Sequence, residues 1–404
     1  MARLKRTRFI NTSRVLRAIW IHKKISRVQI ARSLNLDKST ISSVVTELLR
    51  IGIVQETEEG EAGVQGGRRP VYLTLNRAYG CVLGIEMRAE SYTAVAVDLE
   101  GSIIYSKFEL VPVVERDFAE VFIEIAGRLR EELKRTGVPL LGIGVGVSGV
   151  VDPNKGIIKY SIALRMEGGF DFRAAVAERY DLPVFVENDA NACAWGELAF
   201  HREKKLRNFL FVLVEFHEVR DRERMVERIG VGMGIVIGGR VHYGNDSSAG
   251  EFRSVFRVPE SKGQFALTAE ETSRVEEDPE ILGRFIGELS RNVAMLVNTL
   301  NLDHVFLGGS IERYERDVQP VLASEIRLNW PYLPSDVRCD VRFSSHGERA
   351  VAYGAAGVVL NRLFADLDVA ESVGRVVPGI PTSLQPVPDV HGQVGAPGRE
   401  GGAG

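Results

Sequence analysis

Ser26-Arg-Val-Gln-Ile-Ala-Arg-Ser-Leu-Asn-Leu-Asp-Lys-Ser-Thr-Ile-Ser-Ser-Val-Val-Thr-Glu-Leu-Leu49 is the stretch that decides how this chain begins. Ser26 and Gln29 have the spacing of a capping box, with a hydroxyl at the helix cap and an amide side chain three residues on. The helix they open is expected to bury Val28, Ile30, Ala31 and Leu34. After a short turn through Asn35-Leu36-Asp37, a second helix places Ile41, Val44, Val45 and Leu48 at i, i+3, i+4 and i+7. Its other face carries Lys38, Ser39, Thr40, Ser42 and Ser43. Two short helices joined by a tight turn, the second lined with small hydroxyls, suit a helix-turn-helix that enters the DNA major groove.

Working outward, Ile51-Gly52-Ile53-Val54 ends the second helix at a glycine and starts a strand. A polar tip from Glu56 to Gly66 follows, and Pro70 to Leu75 is the returning strand. This hairpin reads as a wing, with Gly67-Arg68-Arg69-Pro70 at its base. Arg68 and Arg69 are candidates for an adjacent minor groove, where narrow A·T-rich DNA attracts arginine; the alternative is a solvated turn. Residues 1–55 hold 12 Lys/Arg against 2 acids, inside a chain of net charge −3. A cationic end on an otherwise acidic protein is the footprint of a molecule that docks on phosphates by one end. Val15, Leu16, Ile19 and Trp20 give the preceding basic segment an apolar helical stripe, so it is expected to fold.

The chain has 404 residues, too many for one small domain, and 45% hydrophobic content, ample for a core. No apolar run is long enough to span a membrane, and no signal-peptide core precedes the basic segment. Cys81, Cys193 and Cys339 are scattered and odd in number, which argues against a disulfide framework and for a reducing cytoplasm. From about residue 80 to 370 the pattern is α/β and rich in glycine. Strands are expected at Val82–Glu86, Ser91–Gly101, Ile103–Tyr105 and Leu141–Val147, with a helix from Phe118 to Thr136. A second pass begins near Phe209, includes a helix from about Pro279 to Asn301, and closes on His304–Gly309. Two such passes imply a duplicated fold with a cleft between lobes. From about Val377 the Pro/Gly-rich end reads as a disordered tail.

Four segments carry a family resemblance. They are Gly142–Asp152, Leu182–Glu197 with its Glu187-Asn188-Asp189, the glycine hairpin Gly230–Gly244 with Ala249-Gly250-Glu251 after it, and Val297–Ser310. Together they resemble the ROK proteins (repressor, open reading frame, kinase), over nearly the whole chain to about residue 365. With the winged helix in front, the resemblance is to the transcriptional-regulator branch, the sugar-responsive repressors of carbohydrate genes. It implies an α/β, actin/hexokinase-like (ribonuclease H-like) two-lobed body behind the winged helix-turn-helix. The expected divisions are 1–78 for the DNA-binding domain, 79–200 and 201–375 for the two lobes, and 376–404 for the tail. A homodimer or tetramer is implied, with two heads on a pseudo-palindromic double-stranded operator.

Sugar kinases of this family set three demands against which the residues can be compared. The first is a carboxylate that takes the proton of the attacking sugar hydroxyl; Asp189 matches it, with Asn188 beside it to bind the sugar. The plain alternative is that Asn188-Asp189 caps the helix that follows. The second is glycine-rich phosphate loops, and here departure is clear. The family's Asp-x-Gly-Gly-Thr is replaced by Glu86-Met87-Arg88-Ala89-Glu90-Ser91, where two acids are expected to face the phosphate position. Glu215-Phe216 and a charged insertion, His217 to Arg228, replace the second loop, so ATP binding and catalysis are not expected. The third is Glu-x-Gly-His with a cysteine cluster for zinc; this chain has Glu251-Phe252-Arg253-Ser254 and no nearby cysteine, so no zinc is expected. Glu251 survives as a sugar-hydroxyl acceptor. His217-Glu218 is expected to be a surface feature, and Cys193 a core residue.

The expected protein is therefore a regulator, a repressor by resemblance, whose effector is a sugar or sugar phosphate held by Asn188, Asp189 and Glu251. The alternatives are an active sugar kinase with an accessory DNA head, or a regulator whose body no longer binds a small molecule.

Overall fold

The computed structural model describes residues 2–59, 71–201, 206–217, 228–259, 261, 263–331, 339–344 and 346–365. The N-terminal unit consists of α1 (Ala2–His22), β1 (Ile25–Ser26), α2 (Arg27–Leu34), α3 (Lys38–Arg50), β2 (Val54–Glu59) and β3 (Val71–Leu75), with the strands ordered β1-β3-β2. The capping box is formed: Gln29 N–H donates to Ser26 Oγ at 3.4 Å, and Ser26 N–H donates to Gln29 Oε1 at 2.9 Å. Asn35, in the left-handed region at φ 51°, ends α2 and turns the chain into α3. Ile30, Ile41, Val45, Leu48 and Leu73 close the core with Val15 and Ile19 of α1. Val28 departs from expectation. It is 44% exposed, in the first turn of α2 and on the side of the helix away from buried Ile30.

The body repeats one strand plan twice. In the first lobe, β4 (Cys81–Met87), β5 (Ser91–Asp98) and β6 (Ile103–Leu110) form an antiparallel run, and β7 (Leu140–Val147) adds parallel to β4. A small sheet of β8 (Val150–Asp152), β9 (Ile157–Tyr160) and β10 (Phe170–Asp171), with α5 (Phe172–Ala177), precedes β11 (Val184–Asn188), which completes the order β11-β7-β4-β5-β6. α4 (Phe118–Lys134) covers one face with Val121, Phe122, Ile125, Leu129 and Leu133. In the second lobe β12 (Phe209–Phe216), β13 (Ile229–Ile237), β14 (Arg240–Val241), β15 (His304–Gly309) and β16 (Asp340–Phe343) take the matching order β14-β13-β12-β15-β16. β15 and β16 run parallel to β12, as β7 and β11 do to β4. α7 (Ala269–Ser273), α8 (Pro279–Leu300) and α9 (Glu315–Leu328) belong to this half. Pro279 opens α8 and Asn301, at φ 51°, ends it.

Two helices tie the halves together. α6 (Asp189–Phe200) leaves the first sheet and packs against β12 and β13 of the second. α10 (Ala350–Ala365), although it follows the second sheet, lies on β4, β5 and β7 of the first and against α6. That approach requires bare backbone. A Cβ on Gly84 would stand 1.8 Å from the Ala352 carbonyl oxygen, and one on Gly144 2.1 Å from that of Ala355. The far end of α10 reaches the head, where Phe364 packs on Trp20 of α1 with ring centroids 5.1 Å apart. One apolar cluster therefore runs from the helix-turn-helix into the first lobe.

Candidate functional site

Two surfaces hold the candidate residues. On α3, burial of Ile41, Val44, Val45 and Leu48 turns the opposite face to solvent. Lys38, Ser39, Ser42 and Ser43 are exposed there, and Thr40 is half-buried on the flank. Thr46, not singled out from sequence, shares this exposed face, but its hydroxyl donates to the Ser42 carbonyl at 2.8 Å. Arg68 and Arg69 lie outside the described residues, as do most of the wing tip and the C-terminal tail.

The second surface is the cleft at the start of α6. Asn188 is the N-cap: its Oδ1 accepts from Asn191 N–H at 3.0 Å. Its amide donates to the Gly149 carbonyl and to Asp189 Oδ1, both at 2.9 Å. The cap reading is thus realised, and both amide protons are engaged within the protein. Asp189 Oδ1 also accepts from Ala190 N–H at 2.8 Å, while Oδ2 takes no hydrogen bond from the described residues. Burial pushes the Asp189 carboxyl up to about 7, against the Ala190 bond and with help from Glu86, Glu251 and Glu215. Glu251 joins the same place because its backbone bridges to Gly232, whose Cα faces Asp189 Oδ1. The Glu251 side chain is exposed, with no hydrogen bond from the described residues. All three sequence candidates are therefore brought together.

The support beneath them was not read from sequence. Glu187 is 1% exposed and its carboxylate accepts from Asn188 N–H at 3.0 Å and from the Tyr243 hydroxyl at 2.7 Å. Trp195 Nε1 donates to that hydroxyl at 3.0 Å. Burial raises the Glu187 carboxyl to about 7 in spite of these bonds. Tyr243, on the chain after β14, thereby fixes the end of β11 from the second lobe.

The turn after β4, where the family resemblance led to the expectation of a phosphate loop, carries ion pairs. Arg88 Nε lies 2.6 Å from Glu86 Oε1, and Arg88 reaches across to Glu215 Oε1 of the second lobe at 3.3 Å. Glu215 Oε2 accepts from the Ser310 hydroxyl at 3.1 Å. Burial raises the Glu86 carboxyl, and the two carboxylates hold the Arg88 guanidinium above its ordinary range, Glu86 most of all. Of the two acids expected to face one site, only Glu86 is turned inward. Glu86 is buried near the end of β4, whereas Glu90 is exposed in the turn between β4 and β5. His217 is half-buried rather than a surface feature; burial lowers its affinity for a proton although Glu215 acts in the opposite sense. Glu218 lies outside the described residues. Cys193 is buried, with its thiol pushed well up by burial. Among the described residues no group of three or more His, Cys, Asp or Glu is placed to hold a metal ion. No helix among them is long and apolar enough to cross a membrane.

Residues 82–254, which span the first lobe and this cleft, match the ROK family. The chain is 32% identical over 246 residues to a putative xylose repressor of Caldicellulosiruptor, across 60% of this chain and 57% of that relative. The chain thus aligns with under two thirds of that relative's length. A xylose repressor of Lactiplantibacillus pentosus is 25% identical over 390 residues, 89% of this chain and 94% of its own. A solved ROK transcriptional regulator, a homologue of the Escherichia coli MLC protein, superposes with a TM-score of 0.71 over 91% of this chain and 99% of its own, at 18% identity. The fold of head and lobes is that of this ROK regulator.

Proposed function

We propose that this protein is a DNA-binding transcriptional repressor of sugar-utilisation genes, with a body that senses a sugar and does not phosphorylate it. The observation that carries the reading is α3, with an apolar face locked into the head and a solvent face of Lys38, Ser39, Ser42 and Ser43. In the major groove these hydroxyls would meet base edges, Lys38 a phosphate, and Thr40 the groove wall. Arg68 and Arg69 would add minor-groove or backbone contacts. Repressors among the relatives support the same reading.

In the body, Asp189 and Glu251 offer unengaged carboxylate oxygens to sugar hydroxyls, and Asn188 holds Asp189 in place. An effector acts on DNA binding only if it prefers one arrangement of lobes and head. The path available is physical: α6 starts at Asp189, α10 packs on α6, and α10 ends on Trp20 of the head. A kinase needs an open phosphate cradle, and on this reading the Arg88 pairs with Glu86 and Glu215 would stand in its place; zinc and ATP have no part in this reading. Two heads in a homodimer or tetramer would read a pseudo-palindromic operator, and the setting is the cytoplasm.

Fluorescence anisotropy on DNA from upstream of the gene, at fixed salt and with a panel of sugars, tests the proposal. Salt-sensitive, sequence-selective binding that one sugar releases is expected. Selective binding that no sugar alters would mean a body emptied of its ligand. Absence of selective binding would overturn the DNA reading.

A further inference from the structure

The cleft contains donors of the kinds that usually hold a phosphate, and each already carries a protein carboxylate. Arg88 holds Glu86 and Glu215. The Ser310 hydroxyl holds Glu215. The backbone N–H of Gly347 donates to Glu312, at 3.1 and 3.2 Å to its two oxygens, and the Ser344 hydroxyl donates to the same carboxylate at 2.6 Å. The glycine turn itself is kept: Gly309 has φ 84°, and a Cβ there would stand 2.6 Å from Glu215 Oε1. The bare backbone that could admit a phosphate oxygen is filled by a glutamate from β12.

Charge reinforces this occupation. Around Arg88 stand Glu86, Glu215, Asp189 and, at the mouth, Glu251, with Glu348 acting on Glu86 from the turn before α10. Glu86 is 5% exposed, and its Oε2 is buried with no hydrogen-bond partner. A phosphate dianion would have to displace Glu86 or Glu215 from Arg88 and then lie beside an oxygen that lacks a donor. Like charges brought together in a desolvated site strongly oppose binding. A sugar hydroxyl meets the opposite situation, since Asp189 Oδ2 and the Glu251 carboxylate are acceptors awaiting donors.

We infer that the cleft takes a free, non-phosphorylated sugar and excludes phosphate esters and nucleotides, with Glu86, Arg88 and Glu215 as the residues that set this selectivity. The inference rests on the reading of the cleft as the effector site, and its phosphate arm can be tested apart from that reading.

The test is thermal-shift and calorimetric titration of the full chain. The probes are D-xylose, N-acetylglucosamine, N-acetylglucosamine 6-phosphate and inorganic phosphate, each at millimolar concentration. The wild-type protein is expected to show no binding of inorganic phosphate. The Glu86→Gln/Glu215→Gln double variant is expected to gain it, by at least about tenfold over wild type, as Arg88 and the Ser310 turn are released. Where the double variant does not fold, Glu215→Gln alone retains the Arg88–Glu86 pair and is expected to gain in the same direction. Phosphate binding by the wild type, or no gain in a folded variant, overturns the inference. So does an ester that binds as tightly as its free sugar. If no sugar shifts the protein while the phosphate arm behaves as expected, the effector-site reading falls and the exclusion of phosphate stands.

Discussion

Helix α3 and the cleft are both polar surfaces, and they differ in what their polar groups are doing. On α3, Lys38, Ser39, Ser42 and Ser43 face solvent, and no hydrogen bond from the described residues engages their side chains. In the cleft, Arg88 is closed between Glu86 and Glu215, and Ser310 and Gly347 hold carboxylates of their own chain. A surface that leaves its donors open is prepared for an anionic partner. One that has answered them internally has given up that partner, and what it leaves open, at Asp189 and Glu251, are acceptors. Under the proposed function, the two regions would take ligands of opposite character: polyanionic DNA at one end, a hydroxyl-rich neutral molecule at the other.

The largest effect is expected where the two regions meet. Trp20→Ala removes the ring that packs on Phe364 and should cost about 3 kcal/mol or more. Calorimetry should then show the head melting ahead of the body; a single unchanged transition would break the claim that α10 joins them. Next, Ser43→Glu places a carboxylate on the face proposed to meet DNA. Operator affinity should fall by about 10- to 100-fold, roughly 1–3 kcal/mol, with ligand binding by the body unchanged. An unaltered anisotropy titration would show that α3 is not the reading surface.

In the cleft, Arg88→Leu leaves Glu86 and Glu215 opposed without a cation. Because Arg88 is one-third exposed, the cost should be reduced from that of a fully buried pair to about 2 kcal/mol, seen as a lower denaturant midpoint. Restoring much of it with Glu86→Gln/Glu215→Gln in the same chain would confirm the cause. The smallest effect is on pH. The folded protein holds the Asp189 and Glu187 protons up to about pH 7, whereas an unfolded chain releases them near pH 4. Stability from these groups is complete below about pH 4 and is lost as pH rises through about 7. The thermal midpoint should therefore fall between pH 5 and pH 8, and fall less in Asp189→Asn. Glu271, held down to about 2 by its bonds to Thr268 and Arg284, acts only at lower pH and does not disturb this window.

The head was legible because its determinants are local. A capping box, a left-handed Asn35 and an apolar repeat on α3 fix the two helices from residues a few positions apart. Val28 shows the limit: its type is apolar, but only the helix phase relative to Ile30 decides that it is exposed. The body was legible as a duplication, since the repeated strand and glycine pattern reappears as two sheets of one order. The sugar candidates were legible because Glu187-Asn188-Asp189 is contiguous, and Glu251 follows a hairpin that returns to it. Local pattern cannot give contacts made across the lobes. Nothing around Arg88 announces Glu215, and nothing in Ala350–Ala365 says that it crosses back to the first sheet, although Gly84 and Gly144 leave it room. Glu90 was misplaced for a related reason: only the path of the β4–β5 turn, which leaves Glu86 in the strand and carries Glu90 out to solvent, separates two acids four residues apart.

The central claim, a DNA head controlled by a sugar-sensing body, is tested most directly by one anisotropy experiment. Labelled upstream DNA would be titrated with wild type and Asp189→Ala, each with and without the free sugar that shifts the thermal midpoint. The account predicts equal DNA affinity for the two proteins without sugar, and release by the sugar from wild type alone. Release from both proteins, or from neither, would contradict it.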